Sequence, residues 1–111
     1  VIVASLSARV GSIDDNRLGG WYAYRASKAA HNMLMKTAAV ELRRLNAELS
    51  VACLHPGTTD TLLSKPFQSR VPAEKLFTTA FVAERLLAVL DDCGPDQSGS
   101  FLDWAGNSVA W

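Results

Sequence analysis

The sequence contains no apolar run approaching the ~18 residues that a membrane-spanning helix needs. Its first residues lack the basic-then-apolar layout of a secretory signal, so a soluble, cytoplasmic protein with no membrane partner is expected. There is no excess of charge either. Eleven basic side chains balance eleven acidic ones, and the densest basic spot is only Arg43-Arg44. Nucleic acid is therefore not expected as a partner, because releasing counterions from phosphates calls for a basic chain or a basic stripe. Cysteine is scarce: Cys53 and Cys93 lie far apart and outside any Cys-x-x-Cys pair, which reads as two free thiols in a reducing compartment. His31 and His55 have no carboxylate or second histidine at metal-ligand spacing, so no metal site is expected. His31 reads as a partly exposed helix residue and His55 as one that hydrogen-bonds locally. Asp14-Asp15 reads as a solvated turn.

What the chain has is apolar material. Of 111 residues, 49% are hydrophobic, and a chain this size buries about 60–70% of the surface its unfolded form exposes, which argues against intrinsic disorder. It opens on Val1-Ile2-Val3-Ala4 with no initiator Met. That is the texture of a fully buried strand, delivering Ser5-Leu6-Ser7-Ala8 at its carboxyl end, and a piece of a longer polypeptide is expected.

Residues 11–20 (GSIDDNRLGG) carry turn chemistry. From Trp21 to about Asn46 there is no Pro or Gly, and a long helix is expected with Ala26, Ala30, Met33, Leu34, Ala38, Leu42 and Leu45 as its apolar stripe. Ser50-Val51-Ala52-Cys53-Leu54 reads as a second strand, stopped by His55-Pro56-Gly57. Residues 58–72 show no sustained period and read as a mobile excursion whose Leu62, Leu63 and Phe67 line a substrate pocket or cover a core edge. A second helix is expected from an N-cap at Thr79 to Asp92, with Val82, Ala83, Leu86, Leu87 and Leu90 turned inward. Ser100 to Trp104 reads as the last strand. Strand–helix–strand–helix–strand alternation predicts an α/β fold with parallel strands and helices on both faces. Ligands of such sheets sit beyond the carboxyl ends of the strands, here Ser5 to Ala8 and His55 to Thr61.

Near the start of the long helix Tyr24 and Lys28 are four residues apart, so their side chains share a face. A free phenol, titrating near 10, is a poor proton shuttle at neutral pH, and lowering that by about three units needs roughly 4 kcal/mol of preference for the phenolate. An ammonium a few ångströms away is the simplest source. Tyr22 is an internal control: Ala26 stands four residues on, so Tyr22 is assigned to packing.

A strand ending in serine, then GSI, then GGWYAYRASKAA across a helix start, then LHPG with threonines after it, and finally SGSFLDWAGNSVAW, together resemble the carboxyl-terminal half of the short-chain dehydrogenase/reductase family. Within it the chain looks closest to the branch of sniffer-like carbonyl reductases and C-factor cell-signalling proteins. The resemblance covers essentially the whole chain and implies a Rossmann-like parallel sheet, a partial NAD(P)-binding domain over residues 1–111, and oxidoreduction of a small-molecule carbonyl or alcohol with NAD or NADP. It implies that Tyr24 is the general acid toward the carbonyl oxygen and that Lys28 hydrogen-bonds the nicotinamide ribose and favours ionisation of the phenol. It further implies that Pro56 and Gly57 let the backbone approach the nicotinamide, with Thr59 and Thr61 near its carboxamide and diphosphate. The family's serine commonly stands three residues before the loop glycine, where this chain has Ala8. Ser7 is the nearest hydroxyl and is expected to serve, with Ser5 and Ser12 as the other candidates and a structural hydroxyl capping the strand end as the competing reading of Ser7.

No Gly-x-x-x-Gly-x-Gly turn occurs in the chain. Without it the pyrophosphate has no helix amino terminus here, and these residues alone are expected to bind cofactor weakly or not at all. A C-factor-like cofactor-binding signalling protein with little turnover, and an inert truncated fragment, are the competing readings. Pairing of copies, a homo-oligomer, stays open.

Overall fold

A computed structural model describes residues 1–111. Three parallel strands form the main sheet in the order β1 (Ile2–Leu6), β2 (Ser50–His55), β5 (Ser100–Asp103). Between them run α1 (Tyr22–Leu45) and α2 (Thr79–Asp91). This is the expected α/β, Rossmann-like arrangement, with its strand carboxyl ends together at one edge of the sheet.

The alternation of side chains along β2 builds two cores. On one face Cys53 packs with Phe101, Val109, Trp111 and Met35 of α1. On the other Leu54 packs with Leu102 and with Val82, Leu86 and Val89 of α2. The sheet is thus covered by one helix on each side, and each fully buried Leu or Val contributes roughly 1.5–3 kcal/mol of transfer free energy.

Several expectations are corrected. The β1 strand is not buried: Ile2, Val3 and Leu6 are exposed, because β1 has a neighbour on one side only and α1 lies over β2 and the turn after β1. The face that α1 turns to the sheet is Lys28, Asn32, Met35, Ala39 and Leu42, at spacings of four and three. Met33, Leu34 and Leu45 of the expected stripe face outward. Close approach explains the swap, since Ala39 lies against Gly99 and Asn32 reaches Ser7, so small and polar side chains share with Met35 the face toward the sheet. On α2 the buried set is Val82, Leu86 and Val89, leaving Ala83 and Leu87 outside. Its N-cap is Thr78, whose Oγ1 accepts from the Phe81 amide at 3.1 Å. The last strand ends at Asp103, whose carboxylate accepts from the Ala105 and Asn107 amides and turns the chain. Residues 58–72 are not without regular structure. They hold β3 (Thr58–Thr59), which pairs in parallel with β4 (Leu76–Phe77), and a 3-10 turn at Lys65–Arg70. Two-residue strands are too short to show a period in sequence.

Candidate active site

Tyr24 and Lys28 lie one turn apart near the start of α1, and the Lys28 ammonium sits 5.9 Å from the centre of the Tyr24 ring. Tyr24 is half-exposed and Lys28 half-buried. A cation at this distance is attracted to the negative face of the ring. The turn after β1 is pressed onto the helix at this point. A Cβ on Gly11 would lie 2.8 Å from the carbonyl carbon of Lys28 and 2.9 Å from its Cβ, so only glycine allows the approach. The sequence shows Gly11 merely as a turn residue; its contact with the helix carrying Lys28 has no signature.

All three candidate serines have internal partners. Ser7 is buried and its hydroxyl donates to Oδ1 of Asn32 at 2.5 Å. Ser5 Oγ pairs with His31 Nε2 at 2.9 Å, and Ser12 Oγ accepts from the Asp15 amide at 3.1 Å. No hydrogen bond joins any of them to Tyr24 or Lys28. Asn32 is the residue missed: it stands four after Lys28, is buried, and leaves its Nδ2 without a partner. A polar residue in the middle of a long helix was the available signal.

At the end of β2, Gly57 has φ +76, and a Cβ there would lie 2.7 Å from the Phe77 ring, so both backbone conformation and packing demand glycine. Beyond it the hydroxyl of Thr59 is buried with no partner, whereas Thr61 and Ser64 bond each other reciprocally, amide to hydroxyl, at 3.2 and 3.3 Å. His55 does not bond locally. Its Nδ1 accepts from the Arg9 amide at 3.1 Å, joining the ends of β1 and β2 and leaving the ring proton on Nε2. Burial, helped by the Arg9 cation and opposed by Asp103 and Asp15, lowers its pKa to about 4. Arg9 continues the network to the buried Asp103, Nη2 to Oδ2 at 3.5 Å. Leu62 and Leu63 are open to solvent, and Phe67 is half-exposed with its ring 5.0 Å from that of Trp21.

Tyr24 and Lys28 thus stand on a helix that runs beside the carboxyl ends of parallel strands. Residues 1–72 match the family described as short chain dehydrogenase. The chain belongs to that family. It is 36% identical over 109 residues to the C-signal of Myxococcus xanthus, covering 98% of this chain and 60% of that protein. It is 37% identical over 110 residues to the 1-hydroxy-2-glutathionyl-2-methyl-3-butene dehydrogenase of Rhodococcus sp. (strain AD45), covering 98% of this chain and 46% of the relative. Among solved structures, NADPH-bound carbonyl reductase from chicken fatty liver superposes with a TM-score of 0.83 at 30% identity, covering all of this chain and 43% of that one. Carbonyl reductase Sniffer of D. melanogaster superposes with 0.84 at 27% identity, covering 100% of this chain and 41% of its own. This short-chain dehydrogenase chain spans between 44% and 60% of the length of the curated relatives it matches.

Proposed function

We propose that these 111 residues are the proton-transfer portion of a cytoplasmic, nicotinamide-dependent oxidoreductase that interconverts a small carbonyl compound and its alcohol. The carrying observation is the Lys28 ammonium over the Tyr24 ring, on the helix turn that Gly11 brings against the end of β1. In the reduction direction Tyr24 gives its hydroxyl proton to the carbonyl oxygen and is left as phenolate beside Lys28; in oxidation it takes the proton back.

A bound nicotinamide cofactor would supply hydride to the carbonyl carbon as NADH or NADPH, or accept it from the alcohol carbon as NAD+ or NADP+. The residues at the end of β2 suit the nicotinamide side of such a cofactor: Pro56 and Gly57 make the turn, and the orphaned hydroxyl of Thr59 is a polar demand that no group of the chain meets. Thr61, whose hydroxyl accepts from the Ser64 amide, would offer its unused hydroxyl proton to the diphosphate, and Lys28 its ammonium toward the ribose. The phosphate side has no glycine-rich turn among these residues. Ser7 has one hydroxyl proton and gives it to Asn32, so in this reading Ser7 acts by holding the strand end to α1, and Tyr24 is the donor to the substrate oxygen.

The test is carbonyl-dependent oxidation of NADH and NADPH by the intact protein carrying this chain, across aldehydes and ketones. Turnover with either cofactor is expected. Ala8 at the serine position favours a second reading, a C-factor-like protein that binds cofactor with little turnover. Calorimetric binding of NAD(P)H without turnover of any carbonyl in the panel supports that reading and overturns the first.

A further inference from the structure

The turn before α1 contains an unusual conformation. Trp21 is the one non-glycine residue with positive φ, at 57° with ψ 39°, and it follows Gly19 and Gly20 at φ 70° and 73°. A bulky side chain in the left-handed region is a genuine outlier, and such outliers persist only where surrounding groups fix them. Arg25 supplies the fixing: its Nε donates to the Gly20 carbonyl at 2.8 Å and its Nη2 to the Gly19 carbonyl at 3.2 Å. Helix initiation does not explain the residue, because Trp21 occupies the N-cap and gives no side-chain cap, where Ser, Thr, Asp or Asn would.

The side chain shows what the strained backbone achieves. The Trp21 indole meets the Phe67 ring edge-on, with centroids 5.0 Å apart at 61°, and lies 6.3 Å from the Tyr24 ring at 57°. None of the three is buried: Trp21 is 50% exposed, Phe67 46% and Tyr24 43%. Aromatic pairs that serve stability alone are ordinarily covered, as Phe101 is beneath Trp111. This cluster instead leaves an open apolar surface beside the proposed acid, and Leu62 and Leu63 of the Phe67 segment add uncovered apolar surface.

We infer that Trp21, steadied by Phe67, is a specificity-determining residue that seats the flat apolar group of an aryl carbonyl substrate beside Tyr24. The inference rests on the oxidoreductase reading above. An aryl ring stacked or edge-on to the indole keeps its carbonyl within the short span between the Trp21 and Tyr24 rings, whereas a small aliphatic carbonyl gains nothing from the wall.

The experiment compares the intact protein with Trp21→Asn, which tolerates the left-handed conformation, and with Phe67→Leu. The readout is the ratio of kcat/KM for an aryl ketone to kcat/KM for a small aliphatic aldehyde. Trp21→Asn should lower that ratio about tenfold, chiefly through KM for the aryl substrate, and Phe67→Leu should lower it severalfold. An unchanged ratio in both variants overturns the inference. If the unmodified protein reduces no carbonyl, the oxidoreductase reading fails separately, and calorimetric titration with an aryl ketone decides this one. Saturable binding weakened about tenfold in Trp21→Asn and severalfold in Phe67→Leu supports it; equal affinity in all three proteins overturns it.

Discussion

The Ser7 hydroxyl donates to Oδ1 of Asn32, binding the end of β1 to α1 one helical turn beyond Lys28. Both residues are buried, so removing one strands the polar group of the other. Ser7→Ala and Asn32→Ala should each destabilise the fold by about 1–3 kcal/mol, with the double variant losing less than the sum of the two. Denaturant unfolding of the four proteins of this cycle checks the coupling; strict additivity would show that the two side chains do not support each other.

Gly11 is fixed by proximity to Lys28, not by its backbone angles. Gly11→Ala forces a methyl to within 3 Å of Lys28 backbone and side chain, and overpacking of this kind costs about 1–3 kcal/mol. Turnover should fall with stability, since the displaced segment is the helix turn bearing Tyr24 and Lys28. Thermal melting and steady-state kinetics on the same variant test this, with a wild-type melting temperature as the contrary result.

His55 gives stability a pH dependence of definite sign. Its pKa falls from 6.5 to about 4 on folding, because burial disfavours the imidazolium. Between those values the unfolded chain binds a proton that the folded chain does not. Stability is therefore full above about pH 6.5 and declines as pH falls toward 4, by up to about 3 kcal/mol from this group. His55→Asn, whose Oδ1 can accept from the Arg9 amide as Nδ1 does, should flatten that slope while retaining the link between β1 and β2. Unfolding free energies at pH 7, 5.5 and 4.5 measure it.

The exposed edge of β1 makes a prediction for the 111-residue polypeptide on its own. Ile2, Val3 and Leu6 are uncovered and one side of the strand has no partner. Unpaired apolar edges recruit other chains, so this polypeptide should associate in sedimentation experiments, and Val3→Lys should shift it toward monomer. A wild-type monomer at micromolar concentration would contradict the expectation.

The order of elements was legible because their periods are long: 24 residues of helix without Pro or Gly, and apolar strands closed by His55-Pro56-Gly57. Tyr24 and Lys28 were legible because helical spacing alone puts them on one face. The buried face of α1 was not. Its contact with the sheet is made through Asn32 and Ala39 as well as Met35, while Met33 and Leu34 face outward, so hydrophobicity placed only part of the stripe, Leu42 among it, on the right side. Gly11 and Trp21 escaped for a shared reason: each matters through a partner distant in sequence, a contact that no local pattern encodes, whereas Asn32 carried a signal as a polar residue within a long helix. The short β3–β4 ladder escaped because two residues carry no period.

In the proposed reaction Tyr24 moves the proton. Tyr24→Phe removes only the hydroxyl and keeps the ring over which Lys28 sits. In the intact protein, with the better of NADH and NADPH and an active carbonyl substrate, this variant should retain cofactor binding while kcat falls by about two to four orders of magnitude, the ordinary contribution of a general acid. Equal kcat in Tyr24→Phe and the unmodified protein would exclude Tyr24 as the proton donor.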